Sequence, residues 1–230
     1  MEIIYTDSYQ PDIVLFGLRI GQPMMVLTDL LVAGVCLYGW RVTPSKSPKA
    51  LLFRLFFLFT GLSLLLSAFL GHAFKYSLPR EGVLPGWFFG ILGVSAMEQS
   101  AIERTRHLYG EGIGKIFTWL NAAKAGAAFW FVSSTLWFPA VEIHAAAGML
   151  LAVAPLETFL RIRTGDTGSK YILYGIGLLL LAVSVFIFKW ILGPWMGYAD
   201  IAHIIMSIAI WQFAKAGLAM EQGIAQTDII

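Results

Sequence analysis

The chain has 230 residues, of which 58% are hydrophobic and 13% are charged, whereas soluble domains contain about 25% charged residues. Together with a mean hydropathy of +0.73, this composition excludes an ordinary soluble domain and indicates an integral membrane protein. The net charge of +2 comes without a basic block or stripe, which argues against nucleic-acid binding. Cys36 is the single cysteine, so a disulfide framework is excluded and a metal would need histidine or carboxylate ligands.

Seven apolar runs follow one another along the chain, and each approaches the roughly 20 residues that a membrane-spanning helix needs. They cover residues 23–40, 50–74, 84–101, 116–137, 139–160, 171–192 and 199–219. The predicted fold class is therefore all-α, a seven-helix transmembrane bundle formed by residues 23–220 as a single domain. Residues 1–22 are predicted to be an extracytoplasmic segment in which 13–20 lie as a short amphipathic piece on the surface. Residues 221–230 are predicted to be a short cytoplasmic tail.

The distribution of positive charge predicts the orientation of the bundle. The loops after the first, third and fifth spans contain ten of the sixteen lysines and arginines: Arg41, Lys46, Lys49, Arg54, Arg104, Arg106, Lys115, Arg161, Arg163 and Lys170. Cytoplasmic loops carry such an excess, so the amino terminus is expected outside the cytoplasm and the carboxyl terminus inside. The compact loops and the absence of organelle-type signals favour a bacterial inner membrane.

Ionisable side chains fall at one depth in the outer half of the predicted bundle. Each costs about 2.5–3.5 kcal/mol to insert, which makes each one a functional candidate. They are Asp29, His72, Glu142, His144, Asp200 and His203. Asp200 and His203 are three residues apart and share a helix face. Histidines from different helices together with a carboxylate are typical ligands of a catalytic zinc ion. The sequence thus predicts a zinc site formed by His72, His203 and either His144 or Asp200.

A second layer of buried charge lies in the inner half. It consists of Glu98 in the third span, Lys124 in the fourth and Lys215 in the seventh. Glu98 is expected to pair with one of the two lysines, because an unpaired charge at that depth is strongly disfavoured. Two interpretations stay open, a structural lock and a proton or ion path that joins the two layers.

Ser67 and His72 in the second span and His203 in the seventh resemble positions of a superfamily of seven-helix membrane proteins. This superfamily includes alkaline ceramidases, Per1-type lipid remodelling proteins, haemolysin III and the progestin and adiponectin receptors. The resemblance implies a zinc site on the amino-terminal side of the bundle, with Ser67 as a catalytic residue. The family's serine and histidine are four residues apart, whereas Ser67 and His72 are five apart. The segment 22–31, with Gly71-His72 and the sequence around Asp200 and His203, also resembles a bacterial membrane protein family of unknown function.

Three functions compete at this stage. The first is a zinc-dependent intramembrane hydrolase of a lipid amide or ester, in which Asp29 or Glu142 is the general base. The second is a haem-binding electron carrier, because two histidines at equal depth can supply both axial ligands. The third is a non-enzymatic transporter, receptor or membrane-complex subunit that uses the same polar residues for binding. The expected partners are membrane lipid and either further copies of the chain or other subunits of a membrane complex.

Overall fold

A computed structural model describes residues 2–4 and 10–227, which form seven helices and a small three-stranded sheet. The helices are α1 Pro23–Val42, α2 Pro48–Ala73, α3 Leu84–Tyr109, α4 Glu111–Thr135, α5 Pro139–Thr164, α6 Thr167–Ile187 and α7 Tyr198–Thr227. A 3₁₀ turn at Arg80–Val83 precedes α3. The last part of α2, Ser67–Ala73, and the middle of α5, Gly148–Val153, are π-helical.

The boundaries of the helices follow from local sequence. Pro23, Pro48 and Pro139 stand at the first positions of α1, α2 and α5, where the missing N–H of proline costs nothing. Asp166 caps α6 by accepting a hydrogen bond from the Ser169 amide at 2.6 Å, as N-terminal aspartates do.

The prediction of seven helices is confirmed, and α1, α2, α5, α6 and α7 are long and apolar enough to cross a membrane. α3 and α4 have 26 and 25 residues, but both carry charged side chains along their length. In the described residues the last helix continues to Thr227, so most of the predicted 221–230 tail is helical and residues 228–230 lie outside the described part.

The core of the bundle is a group of aromatic rings. The centroids of Phe56 and Phe57 on α2 are 5.1 Å apart, and the Phe56 and Phe213 centroids are 5.7 Å apart. Gly175 on α6 lies directly against the ring of Phe213, so the absence of a side chain there lets α6 and α7 approach closely. α1 packs between α2 and α7, whereas α4 packs on α3 and α5 at the side of the bundle.

The segment before α1 is a small sheet, which corrects the prediction of an amphipathic piece over 13–20. Strands β1 Glu2–Ile4, β2 Asp12–Leu15 and β3 Leu18–Ile20 pair antiparallel in that order. The turn between β2 and β3 consists of Phe16 and Gly17, with φ of 52° and 79°. Two positive φ values in a two-residue loop match the turn geometry that closes tight hairpins.

The carboxylate of Asp12 fastens this sheet to the end of α2. It accepts hydrogen bonds from Arg19 at 2.7 Å, from the Tyr76 hydroxyl at 2.7 Å and from the Gln22 amide at 3.2 Å. Burial raises the pKa of Asp12, but these hydrogen bonds and the charge of Lys75 outweigh it, so the pKa lies below its ordinary value. We call this end of the bundle, with the sheet, the start of α1 and the end of α2, the hairpin end, and the opposite end the basic end.

Candidate functional site

Three ionisable side chains from three helices meet at the hairpin end. Asp29, in the second turn of α1, is 1% exposed. Its Oδ1 lies 3.1 Å from Nδ1 of His203 on α7, and its Oδ2 lies 3.6 Å from Nε2 of His72 on α2. The hydroxyl of Thr28 is 3.3 Å from the same Nδ1 of His203. We call Asp29, His72 and His203 the acid–imidazole cluster.

The π-helical end of α2 and the residues before α1 position His72. π-helical turns are rare and frequently occur at functional sites. Gln22 adopts a left-handed conformation with φ of 45°, and its side-chain oxygen lies 2.7 Å from Nδ1 of His72. Gly21 donates its amide hydrogen to the carbonyl of Ala73 at 3.1 Å, and a Cβ at Gly21 would stand 2.8 Å from the His72 carbonyl oxygen. The glycine at position 21 and the left-handed backbone of Gln22 therefore allow the segment before α1 to pack against His72.

These contacts indicate where the protons of the cluster lie. With the Gln22 amide oriented as in the structure, its oxygen accepts the Nδ1 hydrogen of His72. A neutral His72 then has an unprotonated Nε2, and this nitrogen faces Asp29 Oδ2, which has no hydrogen-bond partner among the described residues. On the other side, His203 Nδ1 lies 3.1 Å from Asp29 Oδ1 and 3.3 Å from the Thr28 hydroxyl. Two hydrogen-bond acceptors, His72 Nε2 and Asp29 Oδ2, thus face each other at 3.6 Å with no hydrogen between them.

A second acid, Asp200, lies beside the cluster and is fully buried. Its Oδ2 accepts hydrogen bonds from the Gly197 amide at 2.8 Å and from the side chain of Gln10 at 2.9 Å. Gln10 is 1% exposed, and its oxygen accepts from the amides of Met24 and Met25 at 3.1 and 3.3 Å. Asp200 lies three residues before His203 on α7 and so shares a helix face with it. Gln10 therefore joins the segment before α1 to the first turns of α1 and α7.

His144, Glu142 and Ser67 do not contact the cluster. His144 on α5 is buried, with its Nε2 3.3 Å from the Ile91 carbonyl and 3.4 Å from the Ser95 hydroxyl, both on α3. Glu142 is exposed. The Ser67 hydroxyl lies against Gly86 of α3. The sequence places these residues at the right depth, but they lie on sides of their helices that face α3 or the surface.

The inner charge layer is built around Glu98 and Lys124. Lys124 forms a salt bridge with Glu98, which is buried, and also donates to the His144 carbonyl at 3.3 Å. Both side chains press against Gly148, the first residue of the π-helical part of α5. Lys215 does not share this pair; its ammonium lies 5.9 Å from the centroid of the Tyr171 ring.

A further buried ion pair lies near the basic end. Arg104 of α3, 4% exposed, lies 3.2 Å from Glu157 of α5 and 2.6 Å from Asp166. Sequence reasoning missed Gln10, because it meets Asp200 across 190 positions of sequence and no local spacing indicates that contact.

The cofactor predictions stay predictions. Within residues 2–4 and 10–227, no group of three or more histidine, cysteine or acidic side chains is arranged to hold a metal ion. His72 and His203 contact the same carboxylate, so a haem placed between them would have to displace Asp29.

Comparison with known proteins identifies one family. No curated protein and no solved structure matches the chain. Residues 24–222 match a family of unknown function, DUF6962. This region contains the whole acid–imidazole cluster and runs from the second residue of α1 into the last turns of α7. The chain therefore belongs to the DUF6962 family of unknown function.

Proposed function

We propose that the protein is a non-enzymatic membrane protein, a transporter or a subunit of a membrane complex, that binds and releases a proton at the acid–imidazole cluster. In this proposal all seven helices cross a bacterial inner membrane, with the hairpin end outside and the basic end in the cytoplasm. In this orientation the cluster exchanges protons with the outer side of the membrane.

One observation carries the proposal. Asp29 Oδ2 and His72 Nε2 face each other at 3.6 Å, and neither has a hydrogen to offer the other when His72 is neutral and Asp29 ionised. A proton on either atom turns this contact between two acceptors into a hydrogen bond. The site therefore gains an interaction on protonation, which is the property that a proton-binding site needs.

The charge of the site supports the same conclusion. The ion-pair partners of Asp29 in the described residues are the two imidazoles, and the neighbouring acid Asp200 is bound by an amide side chain and a backbone N–H. Among the described residues no lysine or arginine is paired with these acids, so in this proposal protons neutralise them. Acids and histidines inside a membrane commonly form proton relays.

Infrared difference spectroscopy of the purified protein between pH 8 and pH 5 tests the proposal. We expect a carbonyl band of a protonated carboxyl group that changes with pH and disappears in Asp29→Asn. The asparagine amide supplies a permanent hydrogen opposite His72 Nε2, so the pH-dependent step is lost. Glu142→Gln, on the exposed face of α5, is the matched control and should leave the band unchanged. Identical difference spectra for the wild type and Asp29→Asn would contradict the proposal.

A second candidate is a zinc-dependent lipid hydrolase. Its support is the ligand types alone: one carboxylate and two imidazoles converge from three helices, and catalytic zinc sites use such side chains, although in the described residues they are not arranged to hold a metal ion. It predicts near-stoichiometric zinc in the purified protein and loss of that zinc in His203→Ala. Metal-free protein that still shows the Asp29-dependent band would exclude the hydrolase and leave the proton site.

A further inference from the structure

An apolar groove runs along the surface of the bundle between α1 and α2, and we call it the α1–α2 groove. Its volume is about 280 Å³, slightly below the usual range of sites that enclose a whole small molecule. On α1 it extends from Leu30 to Trp40, about 15 Å along the helix. Its lining is formed mainly by Leu30, Leu37, Trp40, Leu58, Gly61 and Leu65. A groove of this length and volume suits one extended apolar chain.

Two arginines stand where the α1–α2 groove reaches the basic end. Arg41 is four residues after Leu37 on α1, and Arg54 is four residues before Leu58 on α2. Each arginine therefore continues the helix face that lines the groove. The guanidinium carbon of Arg54 lies 4.7 Å from the centroid of the Trp40 ring, which places Arg54 level with the last turn of α1. The apolar groove thus ends at a pair of positive charges.

Neither arginine has an acidic partner among the described residues. The helices that form the groove supply none, because no acidic residue occurs between Asp29 and Glu81. The neighbouring acids of the basic end already pair with two arginines of α3: Glu103 and Glu111 with Arg106, and Glu157 and Asp166 with Arg104. The charges of Arg41 and Arg54 are therefore available to an anion from outside the chain.

The guanidinium of Arg54 is held in place and can still be reached. Only its Nε is closed off, being buried without a hydrogen-bond partner, whereas its two terminal nitrogens reach the surface. The contact with Trp40 holds the planar group at the end of the groove. A guanidinium presents its N–H groups as a fork that matches two oxygens of a phosphate. The terminal nitrogens of Arg54 are therefore suited to a phosphate that arrives from the surface.

We propose that the α1–α2 groove binds an anionic phospholipid, with the phosphate at Arg41 and Arg54 and one acyl chain along the groove. Basic pockets between membrane helices bind anionic headgroups in this way. A zwitterionic lipid fits less well, because its own positive group offsets the charge that attracts the arginines. A second copy of the chain that docked through the same face would bring these arginines no acid.

Native mass spectrometry of the full chain in nonionic detergent tests this proposal with two lipids. Dioleoylphosphatidylglycerol is anionic, and dioleoylphosphatidylcholine has the same acyl chains and a phosphate but no net charge. We expect one phosphatidylglycerol to bind per chain, about fivefold or more tighter than phosphatidylcholine, since each basic residue near an anionic headgroup gives about that factor. Equal binding of the two lipids would overturn the proposal. Excess glycerol 3-phosphate should not displace the lipid, and displacement would show a soluble phosphate site that does not use the groove.

A pair of charge variants tests the headgroup position. Arg54→Gln should weaken binding of phosphatidylglycerol about fivefold. Arg163→Gln is the matched control, because Arg163 is an exposed cation at the basic end that stacks on Phe159 at 5.4 Å; it should leave binding unchanged. Equal losses in the two variants would show that only the overall charge matters and would refute the site.

A pair of glycine variants tests the position of the acyl chain. Gly34 lines the groove, and Gly126 lies on α4. A Cβ at either position meets nothing within 4 Å, so both helices accommodate a leucine. Gly34→Leu should fill the groove and abolish binding of phosphatidylglycerol, and Gly126→Leu should leave it unchanged. Wild-type binding by Gly34→Leu, or a lipid-free dimer that separates in this variant, would refute the proposal.

Discussion

Gln10 is predicted to hold the segment before α1 onto the first turns of α1 and α7, and Gln10→Ala tests this. The substitution removes one hydrogen bond to the Asp200 carboxylate and two from amides of α1. A hydrogen bond to a charged group contributes about 1.5–3 kcal/mol and a neutral one about 0.5–1.5 kcal/mol. Because water entering the space restores part of these interactions, we expect the free energy of unfolding to fall by about 2–4 kcal/mol.

The change can be measured by titrating the protein with sodium dodecyl sulfate in mixed micelles and following its helical circular dichroism. Phe16→Asn is the control in the same sheet: Phe16 is 99% exposed, and asparagine tolerates its left-handed conformation better than phenylalanine does. The control should lose no stability. If Gln10→Ala unfolds at the same detergent fraction as the wild type, Gln10 does not hold this segment in place and the reasoning is refuted.

Three further predictions concern the packing and charge that support the site. Arg104→Met should lower the free energy of unfolding by about 3–5 kcal/mol, because it leaves the buried Glu157 without its positive partner. The double variant with Glu157→Gln should recover most of this loss in the same detergent titration. If the loss is not recovered, the charge argument is wrong. The pKa of Asp12 is depressed below its ordinary value of 3.8. The stability that its hydrogen bonds give the sheet is therefore complete above pH 3.8 and is lost as the pH falls through the depressed pKa. Hydrogen exchange of the sheet amides should accelerate over this acidic range in the wild type, and Asp12→Asn should show no such pH dependence. Gly175→Ala should cost about 1–3 kcal/mol because the added methyl group overlaps the phenylalanine ring of α7, whereas Gly177→Ala, which meets nothing within 4 Å, should not destabilise; equal effects would contradict the packing.

The helices could be predicted from the sequence because a membrane-spanning helix needs a continuous apolar run and is bounded by turn-forming residues. α4 shows the limit of that reasoning, since it begins at Glu111, several residues before the apolar run at 116. The hairpin over 12–20 was missed. Its turn places Phe16 in a left-handed conformation, where asparagine or glycine would have given a recognisable signal.

The acid–imidazole cluster could be predicted in part. Position along each span gives depth, so Asp29, His72 and His203 were placed at one level, and the structure brings them into contact. His144 has the same depth but packs on α3, because depth does not say which helices are neighbours. The spacing of Ser67 and His72 could not be interpreted either, since the π-helical end of α2 changes the angle between successive side chains.

The protonation states of His72 and His203 test the central claim most directly. The chain has four histidines, so nitrogen NMR of histidine-labelled protein, assigned with single-residue variants, can resolve each ring. At neutral pH the account predicts a proton on Nδ1 of His72 and on Nδ1 of His203, and a change in both rings in Asp29→Asn. A His72 ring protonated on Nε2, or rings that do not respond to Asp29→Asn, would contradict the assignment of the cluster as a proton-binding site.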